Sequence, residues 1–108
     1  MSDCIFCKMI DGKIKPDIVF ETDSVLVFRD INPKALTHVL IIPKRHIPTM
    51  NDLEPEDAKL MGDLCLAARK VAEREGVSGN FRTMINCGRD GGQEVFHLHM
   101  HLLGWPPG

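Results

Sequence analysis

The stretch His97-Leu98-His99-Met100-His101-Leu102-Leu103 constrains this chain most. Imidazoles alternate with apolar side chains, and an extended strand sends alternate side chains to opposite faces. His97, His99 and His101 therefore share one face, and Leu98, Met100 and Leu102 share the other. The apolar set predicts a buried face. We expect a strand over 95–103 that carries the three imidazoles along ~13 Å, at ~3.3 Å per residue. A row that long is too spread for one tetrahedral metal ion, so at most one or two of its members could share a metal with residues from elsewhere. It fits catalysis better, with one imidazole as nucleophile or base and a neighbour moving a proton.

With 108 residues the chain is expected to form one domain over 1–108. At 44% hydrophobic and 26% charged it is neither disordered, collagenous nor a coiled coil. Thirteen Lys and Arg against 15 Asp and Glu leave no basic excess for a nucleic-acid partner. No apolar run reaches the ~20 residues that span a bilayer, so no membrane association is expected. The start Met1-Ser2-Asp3-Cys4 lacks the basic and apolar regions of a signal peptide. A cytoplasmic, reducing location follows as the expectation, with four Cys as thiols rather than disulfides.

Periodicity supplies the remaining elements. Residues 5–10 predict a short helix closed at Gly12. Residues 18–22 and 25–29 predict an antiparallel pair around the turn Asp23-Ser24. His38-Val39-Leu40-Ile41-Ile42-Pro43 is almost wholly apolar, which places it centrally, covered on both faces, with Pro43 as its end. Leu60, Met61, Leu64, Ala68 and Val71 form the apolar stripe of a long helix over 54–75. Phe81 to Cys87 predicts another strand. The fold class is α+β: a five-stranded, mostly antiparallel sheet with one long and one short N-terminal helix.

Cys65, in the helical pattern, and Cys87, at a strand end, are expected to be buried thiols. Cys4-Ile5-Phe6-Cys7 is a C-x-x-C with no room before it for the strand a thioredoxin-like site needs. It is a zinc half-site or local packing. Between the last two expected strands, Asn86-Cys87-Gly88-Arg89-Asp90-Gly91-Gly92-Gln93-Glu94 is a polar, glycine-bearing loop. Its backbone N–H groups could cradle an anion, or it could be a plain turn.

The alternating segment resembles the defining motif of the histidine triad (HIT) nucleotide-binding family, three His separated by apolar residues. Cys4-Ile5-Phe6-Cys7-Lys8, Phe28-Arg29-Asp30-Ile31-Asn32-Pro33, Thr37-His38, Ile42-Pro43-Lys44-Arg45-His46 and Gly91-Gly92-Gln93 are similar to that family too. Trp105-Pro106-Pro107-Gly108 resembles the end of its phosphoramidase branch. The resemblance implies a HIT-like fold and a hydrolase that cleaves the P–N bond of purine nucleoside phosphoramidates or hydrolyses aminoacyl adenylates. His99 is then the nucleophile and His101 the residue that contacts phosphate and protonates the leaving amine. Asp30 takes the ribose hydroxyls. Phe28, Ile31, Ile5, Phe6 and Ile14 surround the base, while Asn86, Gly92, Glu94 and Val95 belong to the phosphate loop. It also implies a structural zinc on Cys4, Cys7, His46 and His97, a purine nucleotide substrate, no organic cofactor and a homodimer. His38 is expected to hydrogen-bond near the site or at a strand end, not to bind the metal.

Two departures stand out. Glu94 occupies a place where many relatives carry Ser or Thr, so its carboxylate turns away from phosphate or alters substrate choice. Leu103-Gly104 runs straight into Trp105, which shortens the tail. The alternatives are dinucleoside polyphosphate hydrolysis and non-catalytic nucleotide binding; the complete third histidine, His101, favours the phosphoramidase.

Overall fold

A computed structural model describes residues 3–107. A central strand, β3 (Thr37–Pro43), organises it, and all seven of its residues are buried. β1 (Ile18–Glu21), β2 (Val25–Arg29), β4 (Phe81–Met84) and β5 (Met100–Gly104) complete an antiparallel sheet in the order β1-β2-β3-β5-β4. The expected fold class is therefore observed. The apolar run of β3 sits at the centre because both its faces are covered.

Register assigns each side chain to a face. Val25, Val27, Val39, Ile41, Met100 and Leu102 pack with Leu64, Ala67, Ala68, Val71 and Ala72 of the long helix α2 (Ala58–Arg74). Leu26, Phe28, Leu40 and Ile42 take the opposite face and pack on Phe6 of α1 (Ile5–Ile10). Truncating a fully buried residue such as Leu64 removes about 2–5 kcal/mol from a core of this kind. Gly12 follows α1 with φ +83°, a left-handed conformation that closes the helix as expected and that residues with a Cβ avoid.

The long helix starts later than the expected residue 54. A 3-10 turn at Pro55–Asp57 precedes it. The buried Asp57 accepts the Glu54 N–H at 2.8 Å and pairs with Arg45, tying the turn to the loop beyond β3.

The expected strand over 95–103 is corrected at its start. The ladder begins at Met100, opposite Ile41. Towards His97 its partner runs out, because β3 ends at Pro43, which has no N–H to donate. The Leu98 N–H goes to the Ile47 carbonyl at 2.7 Å. β4 stops at Met84, opposite His101, rather than at Cys87. The alternation survives without the ladder: Leu98 joins the helix-side core, and His97 and His99 are buried beside Phe6 on the other side.

Cys65 and Cys87 are exposed, not buried. Cys65 follows Leu64 around α2, which turns it away from the stripe that faces the sheet. Cys87 lies beyond the end of β4. No helix among the described residues is long and apolar enough to cross a membrane.

Candidate active site and metal centre

Two clusters form on the α1 side of the sheet. The first gathers Cys4 and Cys7 from the start of α1, His46 from beyond β3, and His97. Their donor atoms all lie within 4.8 Å of one another. His97 Nδ1 is 3.4 Å from Cys4 Sγ, 3.6 Å from Cys7 Sγ and 3.2 Å from His46 Nδ1. Cys7 Sγ is 3.3 Å from His46 Nδ1. Tetrahedral Zn–N bonds of ~2.0–2.1 Å and Zn–S bonds of ~2.3 Å require N–N and N–S edges of about 3.3 and 3.6 Å, so the set has the dimensions of a Cys2His2 metal site.

The orientation of His97 agrees. Its Nε2 lies 2.8 Å from the Pro43 carbonyl, so Nε2 carries the proton and Nδ1 keeps its lone pair for the cluster. That is the usual outer hydrogen bond of a ligating imidazole. Burial lowers the His97 pKa, against the Pro43 hydrogen bond that raises it.

The second cluster contains Asp30, His38 and His101, whose donor atoms also converge within 4.8 Å. His38 Nδ1 accepts the Lys34 backbone N–H at 3.0 Å. The neutral ring therefore carries its proton on Nε2, which faces His101 Nδ1 at 3.1 Å and the Asp30 carboxylate at 3.4 Å. An Nε2 that bears a proton offers no lone pair to a metal. His38 instead presents a hydrogen to His101, whose Nδ1 accepts it and whose own proton sits on Nε2. Burial first, and then the neighbouring His99 and His38, push the His101 pKa down to about 4. Burial lowers that of His38 as well, partly opposed by Asp30.

His99 stands between the clusters. Its Nδ1 is 2.8 Å from the His97 carbonyl and so donates to it, leaving an Nε2 lone pair. The His99 and His101 ring centroids are 5.1 Å apart. Phe6 meets both His97 and His99 edge-on, at centroid distances of 5.8 and 5.2 Å.

Other residues singled out from the sequence are less gathered. Phe28 is buried and packs edge-on against Phe6, so it forms the floor beneath this region rather than its lining. Ile31 is 92% exposed and Ile5 is 43% exposed. Asp30 accepts the Asn32 N–H at 2.7 Å through its other oxygen. Val95 is half-buried against the Phe6 cluster. Asn86 packs over Gly92, where a Cβ would approach Asn86 Nδ2 to 3.4 Å. Glu94 is exposed, so its carboxylate keeps its hydration. The tail is fastened to its own chain: Asn80 Nδ2 donates to the Trp105 carbonyl at 2.8 Å.

Gln93 was not visible as a key residue. It is buried, accepts the Gly88 N–H at 2.9 Å and donates to the Pro48 and Val95 carbonyls at 2.8 and 3.0 Å. One amide thus holds the 86–93 loop against the segment that carries His46. A Gln within a polar loop gives no local sign of such burial.

Residues 3–107 match the family described as "Scavenger mRNA decapping enzyme C-term binding". The chain is 48% identical over 106 residues to the purine nucleoside phosphoramidase of Escherichia coli K12, covering 97% of this chain and 89% of that protein. It is also 48% identical over 111 residues to a HIT-like protein of Synechocystis, covering 98% and 97% of the two chains. A HIT family hydrolase from Legionella pneumophila superposes with a TM-score of 0.92 at 47% identity, over 98% of this chain and 100% of that one. The chain belongs to the histidine triad family.

Proposed function

We propose that this protein is a hydrolase that cleaves the P–N bond of purine nucleoside phosphoramidates, or the acyl P–O bond of aminoacyl adenylates, through a nucleotidyl-His99 intermediate. The observation that carries the reading is the paired tautomer state. His99 Nδ1–H is spent on the His97 carbonyl, which leaves Nε2 nucleophilic, while His38 leaves His101 with a proton on Nε2. The similarity to the phosphoramidase of Escherichia coli supports the substrate class.

In this mechanism the His99 Nε2 lone pair forms a bond to the α-phosphorus. In a phosphoramidate the P–N bond breaks and its electron pair leaves with the amine; in an aminoacyl adenylate the acyl P–O bond breaks and the pair leaves with the carboxylate. The amine takes a proton through His101 Nε2, which regains one from solvent. Water then attacks the nucleotidyl-histidine, releases the nucleoside monophosphate and restores the imidazole. The covalent intermediate divides one hard displacement into two easier ones. Asp30 accepts hydrogen bonds from the ribose hydroxyls, Ile31 flanks the base above Phe28, and Asn86, Gly92, Glu94 (through its backbone N–H) and Val95 serve the phosphate.

Cys4, Cys7, His46 and His97 would hold a zinc ion, supported by the donor distances and the His97 orientation. Zinc here supplies cross-linking rather than Lewis-acid chemistry, since four protein ligands leave no open position. We read the working unit as a homodimer, which the exposed edge strand β4 favours.

The test uses a fluorogenic adenosine phosphoramidate, with a diadenosine polyphosphate run in parallel. Turnover of the first, lost by on the order of 10⁴-fold or more in His99→Ala, is the expected result. Binding without turnover in the wild type, or preference for the polyphosphate, overturns the proposal. Metal analysis of the purified protein is expected to find about one zinc per chain.

A further inference from the structure

The C-x-x-C at the start of α1 has a second chemistry available. Cys4 is the N-cap residue of α1, and its Sγ accepts the Cys7 N–H at 3.4 Å. The two sulfurs lie within 4.8 Å of each other in the first turn. A Cys-x-x-Cys at a helix start is also the arrangement of reversible dithiol–disulfide centres. Moving from a tetrahedral S–S edge of about 3.8 Å to a disulfide of about 2.05 Å takes side-chain rotation, not refolding of the helix.

The site is reachable. Cys4 and Cys7 are half-buried and His46 is exposed. A groove of about 620 Å³ opens beside them, lined by Cys7, His46, Lys8 and Lys44 among others. A small oxidant can enter there and a metal ion can leave. Loss of the ion would be felt at the nucleophile, because the His97 ring faces the cluster while its carbonyl holds the His99 Nδ1–H at 2.8 Å.

We propose that Cys4 and Cys7 form a peroxide-sensitive dithiolate whose oxidation to a disulfide expels the zinc ion and lowers turnover at His99. This rests on the zinc reading above. The balance is two thiolates holding one Zn²⁺, one hydrogen peroxide and two protons giving one disulfide, two waters and one free Zn²⁺. The two sulfurs lose one electron each, and the peroxide O–O bond takes up both. A dithiol reductant returns the thiolates, and added zinc reloads them.

The experiment treats the full-length zinc-loaded protein with hydrogen peroxide in a Cys65→Ser, Cys87→Ser background, so that only two thiols remain. Released zinc is read with a chromogenic chelator, and the residue 4–7 disulfide by its 2 Da mass loss. We expect one zinc released per disulfide formed, an activity fall of about ten- to a hundredfold, and recovery with reductant plus zinc. Cys7→His, which cannot form the disulfide, is expected to show no further loss of zinc or activity under the same dose, measured against its own untreated sample. Zinc retained by the peroxide-treated parent, or released without the disulfide, overturns the switch and leaves the metal site standing. A reduced protein that takes up no zinc overturns both.

Discussion

Two histidine clusters share one side of the sheet, and they present opposite ring atoms to their neighbours. In the cysteine cluster the His97 ring donates its N–H to a backbone carbonyl, that of Pro43, and turns a lone pair inward. In the Asp30 cluster the His38 ring accepts a hydrogen bond from a backbone amide, that of Lys34, and turns an N–H inward. Both clusters bring three or four donor atoms within 4.8 Å. Convergence alone therefore does not mark a metal site. The backbone partner on the far side of the ring decides whether the group faces a cation or passes a proton. His99 follows the carbonyl pattern, which leaves its Nε2 lone pair for the proposed attack on phosphorus.

The contrast can be broken by experiment. After His99→Ala, the largest effect is expected for His101→Ala, with a fall in kcat of about 10²–10⁴-fold and unchanged zinc content. Loss of zinc in that variant would mean that the two clusters are one unit. Cys7→Ala is expected to abolish zinc retention, lower Tm by about 10 °C and reduce activity about ten- to a hundredfold. An unaltered Tm would remove the buttress role.

His38→Gln should lower kcat roughly tenfold with KM and zinc little changed, because it acts through His101 rather than on substrate. A change confined to KM would contradict that. The smallest effect concerns acid. The His101 pKa lies at about 4 in the folded chain, below its ordinary value near 6.5. The unfolded chain therefore binds the proton first as pH drops. The stability linked to the neutral ring is complete above about pH 6.5 and is lost as pH falls towards 4. Wild type should lose more Tm across that window than His101→Gln; equal losses would refute the linkage.

Much of this arrangement was legible in the sequence. The apolar run of β3 announced a central strand, and the His/apolar alternation assigned faces to residues 97–102 even where the ladder fails. Most of the failures were non-local. Nothing near His97 reveals that Pro43 ends the partner strand. Nothing near His38 reveals that β5 places His101 Nδ1 3.1 Å from it. Cys65 was misplaced for a local reason: a small apolar residue beside the stripe resembles one within it. Gln93 needed the 86–93 loop closed before its three bonds could be seen.

The pairing of β3 with β5 sets His38 against Leu103 and Leu40 against His101. A one-residue slip would invert every side chain of β5. His101 would enter the helix-side core, and Met100 and Leu102 would face the substrate. Enzymatic turnover in this protein is thus a proofreading signal for assembly: a chain that turns over has its central strands in register.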